Sequence, residues 1–124
     1  MKTKDLGKTS TGIEPNVAAL LSYVVGWVTG LIFLLIEKDN KFVRFHAMQS
    51  IIVFGGLTAA MILLSILVSI LFMARLYFIF PLFRIINVLL WLAGLILWIV
   101  LMIKAYQGEH FKLPIAGDIA DKKK

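Results

Sequence analysis

Three long runs without a charged side chain constrain the fold of this chain more than any other feature. They cover residues 17–36, 51–74 and 85–103, with lengths of 20, 24 and 19 residues. About 20 apolar residues, each rising about 1.5 Å, let a helix cross a hydrocarbon layer roughly 30 Å thick. The runs therefore predict an all-α integral membrane protein with three transmembrane helices, and they argue against a water-soluble bundle.

The composition supports the same class. Hydrophobic residues make up 60% of the chain and the mean hydropathy is +0.93, whereas soluble domains use about 45–50% apolar residues. The 13 basic residues lie in segments that flank the apolar runs. There they meet lipid headgroups, so the net charge does not indicate nucleic-acid binding. The absence of cysteine excludes disulfides and a cysteine nucleophile.

The pattern divides the chain into three parts. Residues 1–14 are polar and are expected to form a flexible tail, residues 15–106 form the membrane domain, and residues 107–124 form a polar C-terminal tail. Proline is favoured in the first turn of a helix, which suits Pro81 at the start of the third helix. Asn40 is a candidate N-cap for the second helix.

The second helix is predicted to be longer than its membrane span. A helix from Lys41 to Met73 would extend about 50 Å, so its first turns would lie outside the hydrocarbon layer. In those turns Phe42, Phe45 and Met48 recur on one face, while Arg44 lies on another. This arrangement is typical of an amphipathic interfacial segment.

The same segment holds the densest group of polar side chains. His46, Gln49 and Ser50 share one helical face, and Arg44 lies beside them. One interpretation is a surface that binds a partner protein or a lipid headgroup through these four residues. The other is interfacial capping, in which His46 and Gln49 bond to loop carbonyls or headgroups, because polar residues at a membrane boundary need no special function.

Small residues mark candidate packing faces on two helices. On the first helix they are Ala18, Ser22, Gly26 and Gly30, and on the second they include Gly56 and Ala60. Small residues let helix backbones approach closely in lipid, where apolar burial does not drive association. The strips are predicted to pack helices of one chain together, with homo-oligomerisation as the alternative.

Asn87 is the strongly polar side chain that lies well inside a predicted span. Its amide is expected to face protein, because lipid offers it no hydrogen-bond partner. The structural interpretation is one hydrogen bond between helices. The functional interpretation is a place in a pore or substrate path.

No arrangement of residues indicates catalysis. The three runs contain no ionisable side chain except tyrosine, and the chain has no HExxH or GxSxG motif and no phosphate-binding glycine loop. No spacing of histidines and carboxylates points to a metal ion. The sequence therefore predicts neither an enzyme nor a cofactor or metal site.

The distribution of basic residues predicts an orientation. Three crossings would place 5 basic residues on the side of the N-terminal tail and 8 on the side of the C-terminal tail. The positive-inside rule then predicts a multi-pass protein of the cell membrane with a cytoplasmic C-terminus.

Two segments carry a family resemblance. Residues 44–50 read RFHAMQS, and the tail AYQGEHFKLPIAGD places Gly108, Pro114 and Gly117. In these segments the chain resembles a group of small prokaryotic membrane proteins of unknown function, related to the chloroplast inner-envelope protein-import component called Tic-twenty. The resemblance covers about residues 14–120 and implies a helical membrane domain with a tie to protein translocation. Those chloroplast relatives are described with four spans, whereas three are counted here.

Three functions are compatible with these observations. The first is a small interaction or accessory component that binds a membrane protein, or a second copy, through the polar face of the second helix. The second is an oligomeric pore lined by Asn87 and that polar face. The third is a protein that binds anionic lipids through Lys41 and Arg44.

Overall fold

The computed structural model describes residues 6–123, and every regular element in that range is helical. The helices are α1 (Pro15–Val24), α2 (Trp27–Ile36), α3 (Lys41–Met73), α4 (Phe80–Tyr106) and α5 (Ala116–Lys123), with a 3₁₀ turn at Tyr77–Ile79 before α4. The all-α class is confirmed.

The first apolar run is broken at Gly26. This glycine has φ 61° and ψ −132°, a backbone conformation that a residue without a Cβ adopts readily. Next to the break, Thr29 Oγ1 accepts from the Val25 N–H at 3.1 Å and donates to the Ser22 carbonyl at 3.0 Å. The prediction of one continuous helix over residues 17–36 is therefore wrong, because a turn with its own hydrogen bonds divides the run into two helices of ten residues.

The two short helices form a hairpin that returns to its starting end. Ser10, before α1, donates through its hydroxyl to Asp39, after α2, at 2.8 Å, and its N–H bonds to Glu37 at 2.8 Å. Asn40 also donates to the carbonyls of Leu6 and Lys8. The N-terminal segment and the first loop are thus neighbours, whereas three crossings would have separated them. Residues 6–14 of the predicted flexible tail have defined contacts, and residues 1–5 lie outside the described range.

The helices α3 and α4 form a long antiparallel pair. The predicted helix from Lys41 to Met73 is confirmed, and Asn40 caps it by accepting from the Val43 N–H at 3.1 Å. Pro81 lies in the first turn of α4, as predicted. Within residues 6–123, the segments long and apolar enough to cross a membrane are α3 and Tyr77–Tyr106. Since α1 and α2 are too short to cross, the predicted count of three spans is not confirmed.

The buried residues gather at one end of the molecule. In α3 they all lie between Phe42 and Ser50, and in α4 they are Leu101 and Ala105. We call this end the base (residues 6–54 and 98–123), and we call residues 55–97 the outer hairpin. The base contains the α1–α2 hairpin, which packs against α3 and α4.

The C-terminal tail is part of the base. We call residues 107–115 the strap, because they run across α3 before α5 begins. The helix α5 lies in the segment predicted to be a polar C-terminal tail, and it packs against α3. A Cβ added to Gly117 would lie 2.5 Å from the Cβ of Lys112, so the chain folds back tightly at this glycine. Lys124 lies outside the described residues.

Candidate functional site

A hydrogen-bonded group of three buried side chains lies at the centre of the base. Tyr23 from α1 and His46 and Gln49 from α3 are fully buried. The Tyr23 hydroxyl lies 2.6 Å from His46 Nδ1, and Gln49 Nε2 donates to the same hydroxyl at 3.1 Å. Each group thereby satisfies a polar atom that burial would otherwise leave unpaired.

The strap fixes the tautomer of His46. Its Nε2 lies 2.9 Å from the carbonyl oxygen of Glu109. A carbonyl only accepts, so Nε2 carries the proton and Nδ1 of the neutral ring is an acceptor. The Tyr23 hydroxyl must then donate to Nδ1, which gives the network one direction from α1 through α3 to the strap.

The side-chain amide of Gln49 makes two hydrogen bonds to the backbone of the strap, one as a donor and one as an acceptor. Its Nε2 donates to the Phe111 carbonyl at 2.9 Å, and its Oε1 accepts from the Leu113 N–H at 3.0 Å. His46 and Gln49 are one turn apart on α3, so their face matches alternate residues of an extended strand. Together they hold Glu109, Phe111 and Leu113 to the helix.

Other polar side chains satisfy backbone groups at the helix ends and the break. Ser50 Oγ donates to the Gly26 carbonyl at 2.8 Å, and Trp98 Nε1 donates to the Tyr23 carbonyl at 2.7 Å. Asn16 Nδ2 donates to the Tyr106 carbonyl at 3.1 Å. The Tyr106 carbonyl lies in the last turn of α4, where carbonyls lack partners within the helix. The Gly26 and Tyr23 carbonyls also accept from backbone N–H groups at 3.2 and 3.0 Å, so the side chains add a second bond at the break.

Arg44 caps the end of α2. Its Nη1 donates to the carbonyls of Leu34 at 2.8 Å and Glu37 at 2.7 Å. A cation at this position also interacts favourably with the negative end of the helix dipole. In the described structure Arg44 therefore stabilises the turn between α2 and α3.

Glu37 organises the same turn from inside. It is fully buried, and its Oε2 accepts from the N–H groups of Ser10, Asp39 and Asn40 at 2.8–3.2 Å. Burial by itself raises the pKa of the Glu37 carboxyl, but these hydrogen bonds outweigh it and hold the pKa below its usual value. Its Oε1 has no hydrogen-bond partner among residues 6–123.

The predicted binding residues are thus brought together, and their hydrogen bonds lie within the chain. His46, Gln49 and Ser50 are fully buried, and Arg44 is partly buried. This is the geometry of the capping interpretation, with carbonyls of the strap and the α1–α2 turn as partners. Direct binding of a partner protein or headgroup by these four residues stays a prediction.

Sequence reasoning missed three members of this network, namely Tyr23, Trp98 and Asn16. Each carries a hydrogen-bonding group in or beside an apolar run, and such a group needs a partner inside protein. That signal was available for Tyr23, whose hydroxyl lies deep in the first run. The partner could not be named, because it depends on the break at Gly26.

The small residues divide into two groups. Ala18 and Ser22 are buried, and a Cβ on Gly30 would lie 2.8 Å from the Ala47 carbonyl oxygen. Gly26 forms the turn instead of continuing a strip. On α3, a Cβ on Gly56 would meet nothing within 4 Å, and Ala60 is exposed. These two do not meet the strip of the first helix, so their role in packing stays a prediction.

Asn87 lies in an open groove between the outer parts of α3 and α4. The groove has a volume of about 820 Å³ and is lined in part by Ser65, Ser69, Arg84 and Asn87. The Asn87 side chain has no hydrogen bond to any residue in the described range 6–123. The predicted bond between helices is therefore not formed within the described part of the chain.

These features define a class: a small all-helical membrane protein with two candidate spanning helices and a packed polar base at one end. The chain belongs to the family described as the magnetosome magnetite crystal formation protein family, whose pattern matches residues 12–120.

Archaeal relatives agree with this assignment. A UPF0132 membrane protein of Methanocaldococcus jannaschii is 46% identical over 116 residues, which cover 94% of each chain. Another from the same organism is 42% identical over 90% of this chain and 71% of its own. A UPF0132 membrane protein of Archaeoglobus fulgidus is 41% identical over 88% of this chain and 94% of its own. No solved structure matches the chain significantly.

The comparisons confirm the resemblance in a coarse form. The chain is a member of a family of small membrane proteins, and the names of its relatives indicate no enzymatic family. A relation to the chloroplast import component is not shown by these matches. The assignment to a membrane is supported by the relatives and by the apolar helices.

Proposed function

We propose that this protein is a non-enzymatic accessory component of the cell membrane that binds a membrane-protein partner through the strap and α5. The observation that carries the proposal is Ile115, where the strap ends. Its φ is 66° and its side chain is 75% exposed. A β-branched residue in this conformation is strained, and strain is retained where a function or the surrounding structure requires it.

A second exposed isoleucine continues this surface. Ile119 is 42% exposed and lies four residues after Ile115, near the first turn of α5. The Ile119 N–H donates to the Ile115 carbonyl at 3.0 Å, so the two residues are neighbours at the start of α5. The pair offers an apolar contact beside Lys122 and Lys123, which suits a partner that combines an apolar patch with acidic groups.

The buried network holds this surface in place. Phe45 stacks on His110 with ring centroids 3.7 Å apart, and Lys112 pairs with Asp121 at 3.1 Å. Together with the bonds of His46 and Gln49, these contacts hold the strap against α3 and α5. In this proposal the predicted binding residues act by positioning the strap, and the strap meets the partner.

The proposal includes a membrane topology. The helices α3 and α4 would each cross the membrane once. The α1–α2 hairpin would enter the membrane from the side on which the base lies and return to that side without crossing. Broken helices are tolerated at membrane depth where protein groups satisfy the freed backbone. Here Ser50 Oγ donates to the Gly26 carbonyl and Trp98 Nε1 donates to the Tyr23 carbonyl. Residues 6 and 123, the ends of the described chain, then lie on one side of the membrane.

The basic residues favour a cytoplasmic base. Among the described residues, eight basic side chains lie in the base and two, Arg75 and Arg84, lie in the outer hairpin. The positive-inside rule then favours a base on the cytoplasmic side. This agrees with the predicted cytoplasmic C-terminus. It would also put the N-terminal segment on the cytoplasmic side, whereas three crossings would put that segment on the opposite side.

A link to protein translocation is a narrower form of the proposal, and it rests on the resemblance alone. The family description concerns magnetite crystal formation. The described residues contain no group of three or more histidines and carboxylates placed to hold a metal ion. The proposal for this chain rests on the exposed surface of the strap and α5.

Photo-crosslinking in native membranes tests the proposal. A probe at Ile115 is expected to give a discrete protein adduct, and a control probe at Phe78, which is 81% exposed at the outer end, is expected to give mainly lipid adducts. The Gln49→Ala variant loses the hydrogen bonds to Phe111 and Leu113, so it should release the strap and lose the Ile115 adduct. Lipid adducts alone at both positions would contradict a protein partner at the strap.

A further inference from the structure

The outer hairpin contains a polar feature that the base does not explain. The groove between α3 and α4 is open, and Arg84 and Asn87 lie on its α4 wall while Ser65 and Ser69 lie on its α3 wall. The rest of its lining is apolar, including Leu64, Val68 and Val88. Polar groups inside a candidate membrane span need hydrogen-bond partners, because lipid tails offer none.

The two α4 side chains are ordered by depth. Arg84 lies one turn after the start of α4, and Asn87 follows three residues later on the same face. At a rise of about 1.5 Å per residue, Asn87 lies roughly 4.5 Å deeper along the helix. From the outer end of the groove inward, the Arg84 cation is thus followed by the Asn87 amide and then by the apolar walls of the groove.

This order matches the order of groups in a phospholipid. The phosphate is anionic, the ester or ether oxygens of the glycerol unit accept hydrogen bonds, and the chains are apolar. Arg84 has no ion pair with any residue in the range 6–123, so its charge is available to a phosphate. Asn87 has an amide N–H available for a glycerol oxygen.

The sequence disfavours a second copy of this chain as the occupant. No aspartate or glutamate occurs between residues 40 and 108, so another outer hairpin would bring no carboxylate to Arg84. Two facing grooves would instead place two arginines close together, and like charges repel. An anionic lipid neutralises the cation and fills the apolar part of the groove.

We propose that this groove binds one phospholipid of the leaflet at the outer end of the hairpin. Arg84 binds the phosphate, Asn87 donates to an ester or ether oxygen of the glycerol unit, and an acyl or isoprenoid chain lies along α3 and α4. The groove is separate from the strap. A test of lipid binding in the groove is therefore independent of the proposed partner surface.

Native mass spectrometry of the purified protein with phosphatidylglycerol tests the site. The unaltered chain is expected to retain one lipid, and Arg84→Gln should lower the bound fraction at least fivefold. Arg75→Gln is the matched control, because Arg75 also lies at the outer end but does not line the groove. Diacylglycerol lacks the phosphate. Its binding to the unaltered chain should therefore be no stronger than the binding of phosphatidylglycerol to the Arg84→Gln variant.

Two results would overturn the proposal. One is equal retention of phosphatidylglycerol by Arg84→Gln and Arg75→Gln. The other is a lipid-free dimer of the unaltered chain that Asn87→Leu converts to a monomer, since this would assign the groove to a second copy. Circular dichroism of each variant in detergent checks that the helices are retained.

Discussion

His46 Nε2 donates to the carbonyl oxygen of Glu109 across 2.9 Å, and the two residues are 63 positions apart in the chain. This bond joins the membrane-entry segment of α3 to the strap that follows α4. Because His46 also accepts from Tyr23 at 2.6 Å, one side chain connects three parts of the base. The base is therefore expected to respond as a unit when one of these groups is removed.

Gln49→Leu should release the strap. The substitution keeps the size of the side chain but leaves the Phe111 carbonyl and the Leu113 N–H without their partner. A buried backbone group without a hydrogen bond costs about 1–3 kcal/mol. We expect a lower melting temperature in detergent and faster hydrogen exchange at the Leu113 amide.

Thr58→Val is the control for that experiment. Thr58 is exposed, and its hydroxyl bonds to the carbonyl of Phe54 in its own helix. It should therefore change stability little and leave exchange in the strap unaltered. Equal exchange at Leu113 in the Gln49→Leu variant and the unaltered chain would show that Gln49 does not hold the strap.

Structural features that depend on residues close together in the chain could be predicted from the sequence, and features that depend on distant residues could not. The extent of α3 followed from continuous apolar composition and the local cap at Asn40, both of which are readable along the chain. The break at Gly26 was not readable, because a glycine in an apolar run is compatible with a continuous helix. Its turn conformation is supported by Ser50, a contact 24 residues away.

The candidate site was predicted in part for the same reason. The shared face of His46, Gln49 and Ser50 is a local property of helix spacing, and the structure retains it. Their partners are the strap and the α1–α2 turn, which only the tertiary fold brings close. A buried face and a binding face have the same sequence pattern, so spacing alone could not separate capping from partner binding.

Gly30→Ala should destabilise the base, whereas Gly56→Ala should not. A Cβ on Gly30 would lie 2.8 Å from the Ala47 carbonyl oxygen, and one on Gly56 would meet no atom within 4 Å. Overpacking of this kind costs about 1–3 kcal/mol, while alanine in an open helix position is favoured over glycine by about 1 kcal/mol. Thermal unfolding in detergent of both variants measures the difference, and equal melting temperatures would contradict the close approach of α2 to α3.

Cysteine labelling should place both ends of the described chain on one side of the membrane. The chain has no cysteine of its own, so single cysteines at Ser10, Asp118 and Phe78 can be labelled with an impermeant maleimide. In sealed vesicles Ser10 and Asp118 should react together, and Phe78 should react only in vesicles of opposite orientation. Reaction of Ser10 together with Phe78 would instead support a crossing by the first apolar run.

The stability of the base should fall in acid through Glu37. Because the folded state holds the pKa of this carboxyl below its usual value of 4.5, folding favours the ionised form. The contribution of Glu37 is therefore complete above the unfolded-state pKa, and it is lost as the pH falls through the lower folded-state pKa. Glu37→Gln should be less stable than the unaltered chain at pH 7, and the difference should shrink below about pH 4.5. A difference in melting temperature that stays constant from pH 7 to pH 3.5 would show that ionisation of Glu37 does not contribute.

Ile115→Asn should separate backbone strain from partner binding. Asparagine tolerates the left-handed conformation that Ile115 adopts at φ 66°, so relief of strain should raise stability by about 1 kcal/mol. The same change removes an exposed apolar contact, and a crosslinking probe at Lys122 should then give less of the partner adduct. Ile119→Asn is the matched control, because Ile119 lies in α5 at an ordinary helical conformation and also loses an apolar contact. It should weaken the adduct without raising the melting temperature. If Ile115→Asn leaves the adduct unchanged, the strained residue serves the fold of the strap and the partner surface lies elsewhere.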